Sequence, residues 1–318
     1  MQKLRYRLVV LFFSLSCYNL MAQSKVFKVI PLGVEGGLNE SNLSAYLLGV
    51  KGQPGYIALD AGTIYSGIEK AIQTKVLQNT SVSAVLQDSI KGYCISHAHL
   101  DHVAGLIINS PNDSKKNIYA MPYCLQVLEN NYFTWQSWAN FGDAGSPPLL
   151  NKYHYVSLQA QQEVALAGTN MFVTPFVLSH GSNYQSTAFL VRYSNNYVLY
   201  LGDTGADTIE HSSHLKELWQ SVAPLVKKQQ LKAIFIEVSY SNKQPETQLF
   251  GHLTPKLLLQ EMQVLHGFTG NDALKKVKII VTHIKPEKNV ATIIQKELMQ
   301  NNMQLQFQLA QQAKPIYF

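Results

Sequence analysis

The run His97-Ala98-His99-Leu100-Asp101-His102 places four metal-competent side chains directly behind the apolar stretch Gly92-Tyr93-Cys94-Ile95. That stretch reads as a buried strand ending where the histidines begin. A strand end that passes through a loop into a helix holds several side chains toward one point. His97 and His99 can face one cation while Asp101 and His102 turn toward a second. Imidazole and carboxylate together suit zinc, manganese or iron rather than a soft-thiolate metal. The alternative is a polar loop rich in histidine by chance, but the whole chain holds only 10 histidines.

H-x-H-x-D-H after a strand resembles the first metal motif of the metallo-β-lactamase fold. The longer run His97-Ala98-His99-Leu100-Asp101-His102-Val103-Ala104-Gly105-Leu106-Ile107-Ile108-Asn109-Ser110-Pro111 resembles the signature of the class II cyclic nucleotide phosphodiesterases. In that signature H-x-H-L-D-H is followed by an apolar segment ending in Ser-Pro. The short motif points to a superfamily of hydrolases, the extended one to a single family within it. The resemblance implies an α/β (α+β) chain folded as a four-layer αββα sandwich, metallo-β-lactamase-like. One domain is expected from about Phe27 to Phe318.

Each catalytic metal needs about three protein ligands and an open position, so the first motif alone does not fill two sites. Candidates stand at three later strand ends: His180 after Asn170–Leu178, Asp203 after Tyr197–Leu201, and His283 after Lys278–Val281. By resemblance, His97, His99 and His180 hold the first metal. Asp101, His102 and His283 hold the second, and Asp203 bridges both. Two divalent ions are expected, zinc first and manganese or iron as alternatives. Asp60, at the end of Tyr56–Leu59, is expected either to orient a ligating imidazole or simply to make a turn. His154, His211, His214 and His266 lack a strand-end context and read as surface or packing residues.

Gly251-His252-Leu253-Thr254-Pro255, beside Thr282-His283-Ile284-Lys285-Pro286, also looks like the phosphodiesterase family. An extra histidine there can contact a phosphate oxygen or protonate a leaving alkoxide; otherwise it only precedes the Thr254-Pro255 start of a helix. Asp101 and His252 are the catalytic candidates. Glu237 closes an apolar strand and needs a partner, while Asn42, Ser44 and Lys285 are candidates to line the cleft. The aromatic segment from Tyr132 to Pro148 carries Trp135 and Trp138. Those rings can stack on a nucleobase, or form a hydrophobic plug or a contact in a homodimer. The implied reaction is hydrolysis of 3′,5′-cyclic nucleotides, cAMP and also cGMP, to 5′-nucleotides by attack of a metal-bridging hydroxide.

Rival readings are a lactonase, a β-lactamase or another phosphodiesterase of the same fold, and a non-catalytic periplasmic nucleotide-binding protein. The first group would share the metal motif without the extended run, and the last would lose ligands that this chain keeps.

Met1 to Ala22 combines a basic flank, an apolar stretch Leu8–Leu15 and a small residue at its end, which reads as a signal peptide over residues 1–22. Periplasmic or secreted location is expected, with lipoprotein processing at Cys17 as the alternative. The apolar stretch is too short for a membrane span, so no stable insertion is expected after cleavage. Removal of Lys3, Arg5 and Arg7 lowers the formal charge from +6 to +3. Lys115-Lys116, Lys227-Lys228 and Lys275-Lys276 are separate pairs rather than a patch, so no nucleic-acid partner is expected. Cys94 and Cys124 would then be the remaining cysteines, too few for a disulfide scaffold.

Overall fold

The computed structural model describes residues 25–181 and 184–318. The expected leader, with Cys17, lies outside the described residues. Two seven-stranded sheets form the centre. The first runs in the order Ile316–Tyr317, Phe27–Gly33, Ala45–Val50, Tyr56–Leu59, Ile90–Cys94, Lys116–Ala120, Tyr153–Ser157. The second runs Phe307–Leu309, Lys278–Thr282, Leu231–Glu237, Asn196–Leu201, Gln185–Tyr193, Phe172–Ser179, Val164–Ala165. Each sheet is part antiparallel and part parallel. The parallel block is Tyr56–Leu59 to Tyr153–Ser157 in the first sheet and Asn196–Leu201 to Phe307–Leu309 in the second.

Side-chain alternation explains the layers. Along the first strands, Phe27, Val29, Tyr46, Leu48, Ile57 and Leu59 point toward the second sheet and meet Phe189, Val191, Val198, Tyr200 and Phe235. Their neighbours Ile30, Leu32, Leu47 and Ala58 point the other way, onto Ile68 of helix Tyr65–Gln73 and Val103 and Leu106 of helix Leu100–Asn109. Strands buried on both faces read as continuous apolar runs, as these do. On the far side, Leu199, Ile234 and Ile279 pack under Leu218, Trp219 and Val222 of helix His214–Lys227 and Leu258 and Met262 of helix Pro255–Thr269. The result is the αββα sandwich. Trp219 Nε1 donates to Glu261 Oε2 at 3.0 Å and ties those two helices together.

The stretch Tyr56–Leu59, which leads into Asp60, is a strand as expected. Strand Tyr153–Ser157, helix His214–Lys227 and helix Val290–Met299 were not expected from the sequence. Cys94 lies in the core between the sheets and Cys124 under the helices, on opposite faces of the first sheet, and both are free thiols. Among the described residues no helix is long and apolar enough to cross a membrane. The carboxyl ends of the parallel strands gather at one edge of the sandwich, the place where open α/β sheets carry their sites.

Candidate metal centre

Strand ends supply the cluster. Asp60 follows Tyr56–Leu59, His97 follows Ile90–Cys94, His180 follows Phe172–Ser179, Asp203 follows Asn196–Leu201 and His283 follows Lys278–Thr282. Asp60 and His283 both turn with φ of 55°, a left-handed region sparse for residues other than glycine but entered most readily by aspartate, asparagine and histidine. Gly36 lies against the His283 ring: a Cβ there would come within 2.4 Å of Cε1, so a side chain at 36 would displace the imidazole.

Three imidazoles converge first. His99 Nδ1 lies 3.1 Å from His97 Nε2 and 3.3 Å from His180 Nε2. A second set forms beside it, with His283 Nε2 3.1 Å from His102 Nε2 and 3.2 Å from Asp101 Oδ2. Asp203 stands between the two. Its Oδ1 is 3.3 Å from His102 Nε2. Its Oδ2 is 3.2 Å from His283 Nε2 and 3.8 Å from Nε2 of both His97 and His180.

The outer ring nitrogens set the tautomers. Ser96 Oγ donates to Asp60 Oδ2 at 2.8 Å and therefore accepts from His97 Nδ1 at 3.0 Å. His102 Nδ1 donates to Asp60 Oδ2 at 2.8 Å, and His180 Nδ1 donates to the Gly251 carbonyl at 2.9 Å. His283 Nδ1 donates to Ser239 Oγ at 3.0 Å. Each of these rings thus turns Nε2 inward. Lone pairs at such separations repel one another unless a proton or a metal cation lies among them, and outer acceptors of this kind are what ligating histidines use. The donor set fits divalent metal.

Electrostatics agrees. Burial, reinforced by neighbouring imidazoles, holds His97 well below the usual histidine value, and the same causes bring His99 to about 4. Burial also lowers His180. Burial alone would raise Asp203, but the charges of His283 and His102 hold it well below the carboxylate range. Neutral imidazoles and an ionised carboxylate are the ligating forms. Burial would lower His102, yet the carboxylates of Asp203, Asp60 and Asp101 hold it well above its usual value, so a cation there displaces a proton.

The seven residues proposed as ligands from the sequence are therefore brought together, and Asp60 is placed to orient His102. His252 also reaches the cluster. It groups with His180 and Asp203, and with Glu237 and His283, with donor atoms in each group within 4.8 Å of one another. Its Nδ1 donates to Glu237 Oε1 at 2.7 Å, so Glu237 has the partner its position called for. Thr254 caps helix Pro255–Thr269 through Leu257 N, with Pro255 at its first turn. That local role belongs to Thr254 and Pro255, and it leaves the His252 side chain on Glu237.

Trp135, Trp138 and Asn42 are placed elsewhere than expected. Trp138 Nε1 donates to Ser110 Oγ at 3.0 Å, past the last turn of helix Leu100–Asn109, whose first turn carries Asp101 and His102. Trp135 Nε1 donates to the Pro148 carbonyl. Neither ring lines the cleft that opens from His99 and His180, because the aromatic segment folds over the opposite end of that helix. Asn42 Oδ1 accepts from Val34 N, and the Val34 carbonyl accepts from His283 N, so Asn42 braces the backbone behind His283. Ser44 is buried against Tyr200 rather than open to the cleft. Lys285 N donates to the Ser239 carbonyl.

A cleft of about 1170 Å³ opens from His99 and His180 toward Tyr184, Phe250, His211 and His214. His211 and His214 thus line it, against the expectation of surface or packing roles. His214 Nδ1 lies 2.8 Å from the hydroxyl of Ser179, the residue before His180. No local motif marks either histidine; the preceding Gly202-Asp203-Thr204-Gly205 turn was the available signal. Tyr184 stacks on His99 with centroids 4.6 Å apart and planes 8° apart.

Comparison with known proteins extends this geometry to a family. The family profile for class-II cAMP phosphodiesterases matches residues 25–312. A 3′,5′-cyclic-nucleotide phosphodiesterase of Aliivibrio fischeri is 41% identical, over 98% of this chain and 99% of its own length. Crystalline unliganded yeast PDE1 superposes with a TM-score of 0.83 at 24% identity, covering 92% of this chain and 100% of that one. A metallo-β-lactamase fold protein from Bacillus subtilis, at 14% identity, covers 92% of this chain and 100% of its own with a TM-score of 0.62 and shares the fold. With a profile match over residues 25–312 and a relative 41% identical over 98% of its length, the chain belongs to the class-II cAMP phosphodiesterases.

Proposed function

We propose that the protein hydrolyses 3′,5′-cyclic nucleotides to 5′-nucleotides with two divalent cations, zinc by preference. The observation that carries this reading is Asp203, whose two carboxylate oxygens face both histidine sets. His97, His99, His180 and Asp203 would hold one cation, and Asp101, His102, His283 and Asp203 the other. An imidazole-rich set with carboxylate oxygens suits zinc, with manganese or iron as the alternatives. When bound, such cations neutralise phosphate charge and make water acidic enough to ionise near neutral pH.

The protein's own groups supply the remainder. The cleft admits the diester beside His99 and His180. Attack in line with the 3′-oxygen turns that atom into an alkoxide, which needs a proton to depart. His252, held through Nδ1 by Glu237, keeps Nε2 for the donation. Burial would lower its affinity for a proton, but the Glu237 carboxylate raises it above the usual value, which suits a donor. The test is turnover of cAMP with chromatographic identification of the product. Release of 5′-AMP that stops with chelator and returns with added divalent cation is expected. Failure to hydrolyse cAMP in the metal-loaded protein would overturn the reading.

A further inference from the structure

Phe250 sits at the mouth of the cleft with 71% of its surface exposed. Its backbone is left-handed (φ 53°), and Gly251 beside it is left-handed too (φ 79°). A bulky residue rarely adopts that conformation. The flanking anchors show what holds it. Leu249 is buried in the core, the Gly251 carbonyl accepts from His180 Nδ1 at 2.9 Å, and His252 is bound to Glu237. A Cβ at Gly251 would come within 2.2 Å of Gly181 N, so glycine is required where the loop meets the His180 strand end. The chain thus turns an aromatic ring out of the core, one residue from a direct bond to a metal-facing histidine. Ile209 and Tyr123 line the same cleft.

We propose that Phe250 is the platform on which the nucleobase of the substrate stacks. This rests on the cyclic-nucleotide reading of the site. With the phosphate at His99 and His180, the base extends along the cleft, and the Gly251–His180 bond fixes the backbone from which Phe250 projects. Stacking uses the face of a base and not its hydrogen-bonding edge, so it tolerates different bases. Phe250 therefore supports cAMP and cGMP alike and does not choose between them.

Steady-state kinetics of Phe250→Ala and Phe250→Tyr on cAMP, cGMP and a base-free 3′,5′-cyclic phosphate of methyl riboside test this. Loss of one base stack predicts a rise in KM of about 5- to 150-fold for both nucleotides in Phe250→Ala. Because the lost binding is uniform along the reaction, kcat stays within about 2-fold. Phe250→Tyr restores KM, and the base-free diester is unaffected by either change. An unchanged KM for both nucleotides in Phe250→Ala overturns the assignment. So does an equal loss on the base-free diester, which would make Phe250 a support for His180. A wild-type protein that turns over neither nucleotide brings down the underlying reading and the stacking assignment with it. Wild-type turnover with an indifferent Phe250→Ala removes the stacking assignment alone.

Discussion

His252 Nδ1 lies 2.7 Å from Glu237 Oε1, and this bond repeats in the second half of the chain a device already present in the first. Glu237 Oε2 accepts from Ser239 N at 3.1 Å and Ser239 Oγ at 2.8 Å, and Ser239 Oγ accepts from His283 Nδ1. Asp60 accepts from Ser96 N at 2.7 Å and Ser96 Oγ at 2.8 Å, and Ser96 Oγ accepts from His97 Nδ1. In each half one buried carboxylate holds one histidine directly, His102 or His252, and a second through a serine. Buried carboxylates tolerate burial only when fully engaged. These two are, and they convert strand-end geometry into fixed imidazole orientations.

Asp60→Asn is predicted to weaken metal binding. Asp60 Oδ2 accepts from His102, Ser96 and Tyr200 together, the last at 2.6 Å. An amide placed there faces donors with a donor, and turning it over only moves the conflict to Ser96 N. In the first orientation the tautomer of His102 is lost, and in the second the backbone that carries His97 is displaced. Affinity should fall by roughly 10- to 100-fold, the usual effect of removing a carboxylate behind a ligating histidine. Competition against a fluorescent chelator measures it, and an unchanged affinity would show that Asp60 is only a turn residue.

Glu237→Gln meets the same conflict, because Oε1 accepts from Thr204 N and His252 while Oε2 accepts from Ser239 and Leu253 N. One set of donors must be left unpaired. A loss of about 1–3 kcal/mol in stability is expected, together with a kcat lowered by about 10-fold or more. A denaturation midpoint and a rate equal to wild type would contradict this.

Asp203→Ala removes the oxygen atoms shared by both histidine sets. Elemental analysis of metal-loaded protein should give close to two ions per wild-type chain and a loss of most of that occupancy in the variant. Zero or one ion in fully active wild type would end the two-cation reading.

Away from the site, Asp113 is paired with the buried Lys116 ammonium and accepts from the hydroxyls of Tyr93 and Tyr153 at 2.6 and 2.9 Å. Asp113→Ala would leave a buried ammonium without its counter-ion. Breaking such a pair costs about 3–5 kcal/mol. The urea midpoint should fall accordingly while kcat of the protein still folded is unchanged. A shift under about 1 kcal/mol would show that the Leu86 carbonyl, which also accepts from Lys116, is enough on its own.

Most of the candidate metal cluster was legible because its signals are local. His97 to His102 lie in one turn of chain, and His180, Asp203 and His283 each follow an apolar run that reads as a strand. What the sequence hid depends on distance. The Asp60–His102 bond joins a strand-end loop to the first turn of helix Leu100–Asn109, and no pattern in either segment names the partner. Trp135 and Trp138 showed an aromatic loop but not which end of helix Leu100–Asn109 it would cover. Helix His214–Lys227 was hidden by Pro224 inside it, although Leu215, Leu218, Trp219 and Val222 have the spacing of a buried helical face. The edge strands Val164–Ala165 and Ile316–Tyr317 are only two residues long, too short to carry a period.

His252 decides between proton donation and ligation, since it groups with Asp203 and His180 as well as with Glu237. As a donor to the leaving 3′-oxygen, its replacement in His252→Ala should spare both metals and lower kcat on cAMP by roughly 10²–10⁴, the range for a positioned acid. The loss should shrink on a diester whose leaving group is p-nitrophenolate, which departs with little need of a proton. Simple phosphate binding by His252 would instead weaken both substrates alike. Metal content measured on the same preparation separates the third case: a ligand lost to alanine takes occupancy with it and slows both substrates together. An equal loss on the two diesters removes the acid role, and a normal rate on cAMP leaves His252 with nothing beyond its bond to Glu237.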